Sequence, residues 1–125
     1  MFEDRTINIM AYNLETVLAE KFETVITRGV INTRMRDFYD IYALTNTQTF
    51  AADTFKMALR KTMEKRGTIE QLSGIMETLQ IIAENATMVD LWQRYRKKYT
   101  YATGISWGMV ISAINTLANK AIVFK

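Results

Sequence analysis

Apolar residues recur at three- and four-residue intervals along most of this chain, the period of a helix with one buried face. The first such stretch runs from Leu14 to Arg28, with Asn13 placed as an N-cap and Gly29 as its stop. A second starts near Thr33 or Arg34 and ends near Thr45, before the polar loop Asn46 to Thr49. A third covers Ala51 to Lys65, turns Phe55, Ala58, Leu59 and Met63 inward, and ends at Gly67. Thr68 and Gln71 have capping-box spacing for a fourth, from Ile69 to Glu84, in which Gly74 marks a possible break. Thr87 and Asp90 repeat that spacing for a fifth, Met88 to Tyr99, whose stripe is Met88, Leu91, Trp92, Tyr95 and Tyr99. A sixth follows Ser106, with Trp107, Val110, Ile111, Ile114, Leu117 and Ala118 on one face.

One segment breaks the helical period. Thr6, Ile7, Asn8 and Ile9 alternate polar and apolar, the pattern of a short strand. A lone strand leaves its ladder unsatisfied, and no second strand follows in the sequence. Either the segment is irregular, or its partner is expected in an upstream sheet or in the same segment of a second copy, a homodimer. The expected fold is mainly α: a compact single domain over residues 1–125, of five to six helices with a short N-terminal strand.

Two charges interrupt the apolar stripes. Lys21 falls between Leu14, Val17 and Val25, and Asp37 between Ile41 and Leu44. A charge on an inward face is costly unless it is paired or borders a polar cleft. Two of them on consecutive helices suggest a shared site. Arg28 lies two turns beyond Lys21 on the same face, so an anion in front of both is one reading. A lysine whose head snorkels past the core edge is the other. Asp40, three residues after Asp37, sits toward the polar side with Arg36 one turn away as a surface partner. Arg34 and Arg36 open the second helix against its dipole, which points to an external reason for them. Tyr39, Tyr42, Trp92 and Trp107 read as core aromatics rather than base-stacking platforms.

The chain has 125 residues, half of them hydrophobic, enough for a real core. No apolar run approaches a membrane span, and the start lacks signal-peptide order, so a cytoplasmic location is expected. With no Cys and no His, disulfides, thiolate nucleophiles, Cys/His zinc sites and imidazole bases are excluded. Carboxylate, Lys, Arg, Tyr and hydroxyl chemistry remains, which suits phosphoryl or nucleotidyl transfer and equally a protein without catalysis. The absence of Pro favours uninterrupted helices. Net charge is only +3, yet Lys56, Arg60, Lys61, Lys65 and Arg66 crowd one segment, and Arg94, Arg96, Lys97 and Lys98 another. Each cluster alone reads as a solvated face. The eight Met residues read as core filler.

At the Lys21–Asp37 constellation the chain resembles a family. Ala19-Glu20-Lys21, then Arg28, then Arg34-Met35-Arg36-Asp37-Phe38-Tyr39-Asp40-Ile41-Tyr42 is similar to the C-terminal half of the AbiEii/AbiGii-type toxin nucleotidyltransferases. Glu64-Lys65-Arg66-Gly67-Thr68 and the segment from Trp92 to Tyr99 resemble its later basic and aromatic-basic elements. The resemblance implies a bacterial toxin of a toxin–antitoxin or abortive-infection (phage-resistance) system with a nucleotidyltransferase-like fold. It also implies Mg2+ and a nucleoside triphosphate for a full-length enzyme, tRNA or another RNA as acceptor, and a cognate antitoxin. Lys21 matches the lysine proposed to contact the triphosphate, and Asp37 the aspartate of the last catalytic motif. Arg28 and Arg34 become phosphate contacts, with Asp40 and Arg36 supporting the site. The family's first half carries a Gly-Ser turn and closely spaced metal-holding carboxylates. This chain has neither a Gly-Ser dipeptide nor an Asp-x-Asp. It is therefore expected to be a C-terminal piece whose nucleotidyltransferase half lies elsewhere and which is inactive alone. The competing expectation is a non-catalytic helical module that docks RNA, an antitoxin or another protein.

Overall fold

A computed structural model describes residues 13–122, which form six α-helices and three short 3-10 turns. They are α1 (Leu14–Arg28), α2 (Met35–Thr47), α3 (Ala52–Arg66), α4 (Ile75–Glu84), α5 (Ala86–Lys98) and α6 (Trp107–Ile122). The expected strand at Thr6–Ile9 lies outside the described residues; among those described there is none.

The helix ends follow local chemistry. Asn13 Oδ1 accepts the amide of Thr16 and opens α1. Gly67 closes α3 at φ 74°, a left-handed position that spares glycine the Cβ penalty. The amide of Ala51, just before α3, is bound at 2.7 Å by the Glu15 carboxylate of α1, a long-range substitute for a local cap. The break foreseen at Gly74 is real: Ile69–Gly74 is a 3-10 segment and α4 starts after it. Both proposed capping boxes are corrected. The Thr68 hydroxyl turns to Glu23 and to the Met63 carbonyl instead of capping. Before α5 it is Asn85, not Thr87, that accepts the amide of Met88, because the helix begins two residues before its apolar stripe.

α1 packs chiefly on α3 and α2, while α6 runs through the middle against α2, α3 and α4. Phe22 and Phe55 meet edge to face at 5.9 Å, and Phe38 lies 5.3 Å from Trp107. Trp92 and Trp107 are core residues as expected. Each indole N–H finds a carbonyl, Ile105 at 2.9 Å and Ala83 at 3.1 Å. The methionines divide: Met35, Met63 and Met88 fill the core, whereas Met57, Met76 and Met109 are exposed.

One buried charge escaped the periodicity. Glu23 is 4% exposed and takes Arg66 Nη1 at 2.6 Å and the Thr68 hydroxyl at 3.1 Å. This clamp fastens the end of α3 and the following turn to α1, and it removes Arg66 from the basic cluster of α3. Arg66→Ala leaves a buried carboxylate with one weak donor. It is expected to lower stability by about 2 kcal/mol, a partly exposed version of a broken buried pair, with partial recovery in Arg66→Lys. Urea denaturation of the three proteins checks this.

Candidate functional site

The α1–α2 contact brings the interrupting charges together. Lys21 is in the middle of α1, and the Arg28-Gly29 turn folds the chain back so that α2 lies beside it. Lys21 Nζ sits 2.9 Å from Asp40 Oδ2 and 3.9 Å from Asp37 Oδ1. Lys21 retains one fifth of its side-chain surface, so the cluster lies at the edge of the core. Meeting across the two helices was expected; the partner was not. Asp40 had been placed toward the polar side, yet it is 2% exposed and is the close partner of Lys21. The correction has a packing cause: α2 is covered by α1 on one flank and by α6 on another, so its buried arc is wider than one stripe.

The two aspartates differ in kind. Asp40 makes a hydrogen-bonded ion pair. Asp37, 4% exposed, has Lys21 at 3.9 Å and Arg34 Nε at 3.6 Å, both beyond hydrogen-bond reach. Its Oδ2 is one of two buried side-chain polar atoms without a hydrogen-bond partner among the described residues. The other is Nδ2 of Asn32, whose Oδ1 accepts the amide of Arg34 at 2.9 Å and sets the chain's entry into α2. Arg34 is 60% exposed and covers Asp37 from the solvent side. Arg28 is exposed in the last turn of α1 and makes none of the cluster's ion pairs. Arg36 is exposed and faces the tyrosines: its charge acts on both Tyr39 and Tyr95.

The arrangement suits an anion better than a self-contained metal. Divalent Mg2+ asks for several oxygen ligands. No group of three or more acidic, His or Cys side chains that fits a metal occurs among the described residues. The cationic position between Asp37 and Asp40 is filled by the Lys21 ammonium. These residues alone do not fit a metal ion. Lys21 and Arg34 stand at the open edge, each beside a buried carboxylate.

Beside the cluster lies an aromatic group that the sequence pattern split between two helices. Tyr39 of α2 is 4.7 Å from Tyr101, Tyr95 of α5 is 4.7 Å from Tyr99, and the Tyr95 and Tyr101 hydroxyls share a 2.7 Å hydrogen bond. Burial, then Tyr101 and the nearby Asp40 charge, pushes the Tyr39 phenol above its ordinary range; Tyr95 is raised further, by burial and the hydrogen bond to Tyr101. Both therefore stay neutral. Tyr39 is half-buried, so the core reading holds only for its inner edge.

A buried Lys–Asp–Asp cluster with an under-satisfied carboxylate, roofed by an arginine on an all-helical frame, marks a charged site rather than a plain helix bundle. The chain belongs to the AbiEii family: the family model described as "Nucleotidyl transferase AbiEii toxin, Type IV TA system" matches residues 1–113. The family is thus one of toxins that work opposite an antitoxin. No curated protein and no solved structure matches the chain.

Proposed function

We propose that this chain is the helical, C-terminal portion of a nucleotidyltransferase-type toxin, and that α1 and α2 form one wall of its nucleoside-triphosphate site. Lys21, held in place by Asp40, and Arg34 supply positive charge to the phosphates, with Arg28 extending that charge along α1. Asp37 is the catalytic carboxylate, and Arg36 supports the outer rim. Metal-holding carboxylates come from a segment other than the described residues. Such a protein works in the cytoplasm of a bacterium, in a toxin–antitoxin setting that includes defence against phage, with RNA as the acceptor.

The observation that carries this reading is the orphaned Asp37 Oδ2. Asp40 closes to 2.9 Å on Lys21 and holds it in place, whereas Asp37 stands 3.6 and 3.9 Å from its two cations. Asp37 stays buried at the cost of an unmade bond, which is the signature of a group kept for a ligand. Arg34, 60% exposed and 3.6 Å from that oxygen, presents its guanidinium to the solvent side where a phosphate would sit. The family match supports the same chemistry.

Nucleotidyl transfer aligns metal-held phosphates with an acceptor, and the sequence lacks the Gly-Ser and Asp-x-Asp elements expected to do that. The purified chain, incubated with labelled nucleoside triphosphates, divalent cation and total tRNA, is expected to give no labelled product. Robust labelling that persists through further purification would overturn the incomplete-enzyme reading. The second reading, a docking module, is favoured by one feature, the cationic face of α5 beside the tyrosines.

A further inference from the structure

The start of α2 and the end of α5 enclose a groove of about 400 Å³ lined by Arg34, Arg36, Arg94 and Lys98 around Tyr95 and Tyr99. No carboxylate lines it. We propose that this groove holds a single strand of nucleic acid, its phosphates on the four cations and an unpaired base against the Tyr95–Tyr99 face. The inference stands on the groove itself and does not require the nucleotidyl reading.

Charge and shape argue together. Four cations brought into one groove repel one another, and a polyanion relieves that repulsion while releasing its counterions. Two acids stand behind these cations: the buried Asp37 lies 3.6 Å from Arg34, and Asp90 pairs with Arg94 at 3.0 Å between two well-exposed side chains, so a phosphate replaces Asp90 at little cost. The basic run of α5 is sorted by role. Arg96 is committed to the Thr103 carbonyl at 2.6 and 3.1 Å, whereas Arg94 and Lys98, one turn apart, both face the groove. Lys98 also lies 5.5 Å over the Tyr99 ring, so cation and aromatic surface meet at one place.

The aromatic part separates the strand from other polyanions. The Tyr95 hydroxyl is engaged by Tyr101, so what Tyr95 offers the groove is its ring. Tyr39 and Tyr101 back that ring and hold it in place. A rigid aromatic face between cations is the surface on which unpaired bases stack. A duplex keeps its base faces covered, and an acidic peptide has none.

Fluorescence anisotropy of a labelled twelve-nucleotide oligouridylate, titrated with the whole chain at low salt, reads this out. Four phosphate contacts on a single strand give a log–log salt slope of roughly −3. The Arg94→Glu/Lys98→Glu double variant changes only exposed residues, and should weaken binding at least tenfold and lower the slope to about −1. Tyr99→Leu should weaken it at least fivefold with the charge unchanged. Lys61→Glu/Lys65→Glu on α3 imposes the same charge change away from the groove and should alter affinity less than twofold. Circular dichroism melting confirms that each variant is folded. The proposal is overturned by absence of binding, by indifference to the α5 or Tyr99 changes, or by equal binding of a same-length duplex, polyphosphate or oligoglutamate. Lys21 and Asp37 are untouched throughout, so failure here leaves the triphosphate reading standing, and the reverse also holds.

Discussion

Lys21→Met is expected to lower the stability of the fold by about 3 kcal/mol or more. The ammonium sits between two carboxylates that are 2% and 4% exposed, one of them at 2.9 Å. Methionine matches the aliphatic stem but removes the ammonium that Asp40 holds at 2.9 Å. Two negative charges then share a site at the core edge, and their repulsion works against the α1–α2 contact. Adding Asp40→Asn to Lys21→Met should recover most of the loss, since removing both partners of a pair costs far less than stranding one. Chemical denaturation of the single and double variants measures both values. A Lys21→Met protein as stable as the parent would mean that the lysine is idle in the fold.

The two aspartates are expected to answer differently to substitution. Asp40→Ala removes the close partner of Lys21 and should cost about 3 kcal/mol. Asp37→Asn should stay within about 1 kcal/mol of the parent. Its carboxylate makes no hydrogen bond through Oδ2, and its two cations stand at 3.6 and 3.9 Å. A side chain buried at such small benefit to stability is retained for something else. Paired denaturation curves decide the matter. Equal, large losses at both positions would make Asp37 an ordinary structural residue.

Much of this fold was legible in the apolar spacing. α1 was placed at its observed ends because Asn13 and Gly29 act locally, through one cap hydrogen bond and one turn. The interruption of a long fourth helix followed from Gly74 alone. The pairing of Lys21 with Asp37 was readable because both broke an otherwise apolar stripe. Asp40 was misplaced because periodicity describes one helix at a time, whereas its burial comes from α6 closing a second flank of α2. Glu23 was missed for the same reason: its partners, Arg66 and Thr68, are more than forty residues away in the chain and meet it only when α3 packs on α1. The groove shared by α2 and α5 was invisible too. Its cations and tyrosines belong to segments that each looked like a solvated face or a core stripe.

A triphosphate at the Lys21 cluster is the central expectation for α1 and α2. Calorimetric titration of the folded chain with a nucleoside triphosphate and Mg2+ tests it, comparing the parent with Lys21→Gln/Asp40→Asn. That double variant removes both charges of the close pair in near-isosteric form and is expected to stay folded, which circular dichroism melting checks. Losing one charge-assisted phosphate contact corresponds to roughly tenfold or more in affinity. The parent is expected to bind measurably, and the folded double variant at least tenfold more weakly. A parent that binds no triphosphate, or a folded double variant that binds it as well as the parent, would contradict this expectation.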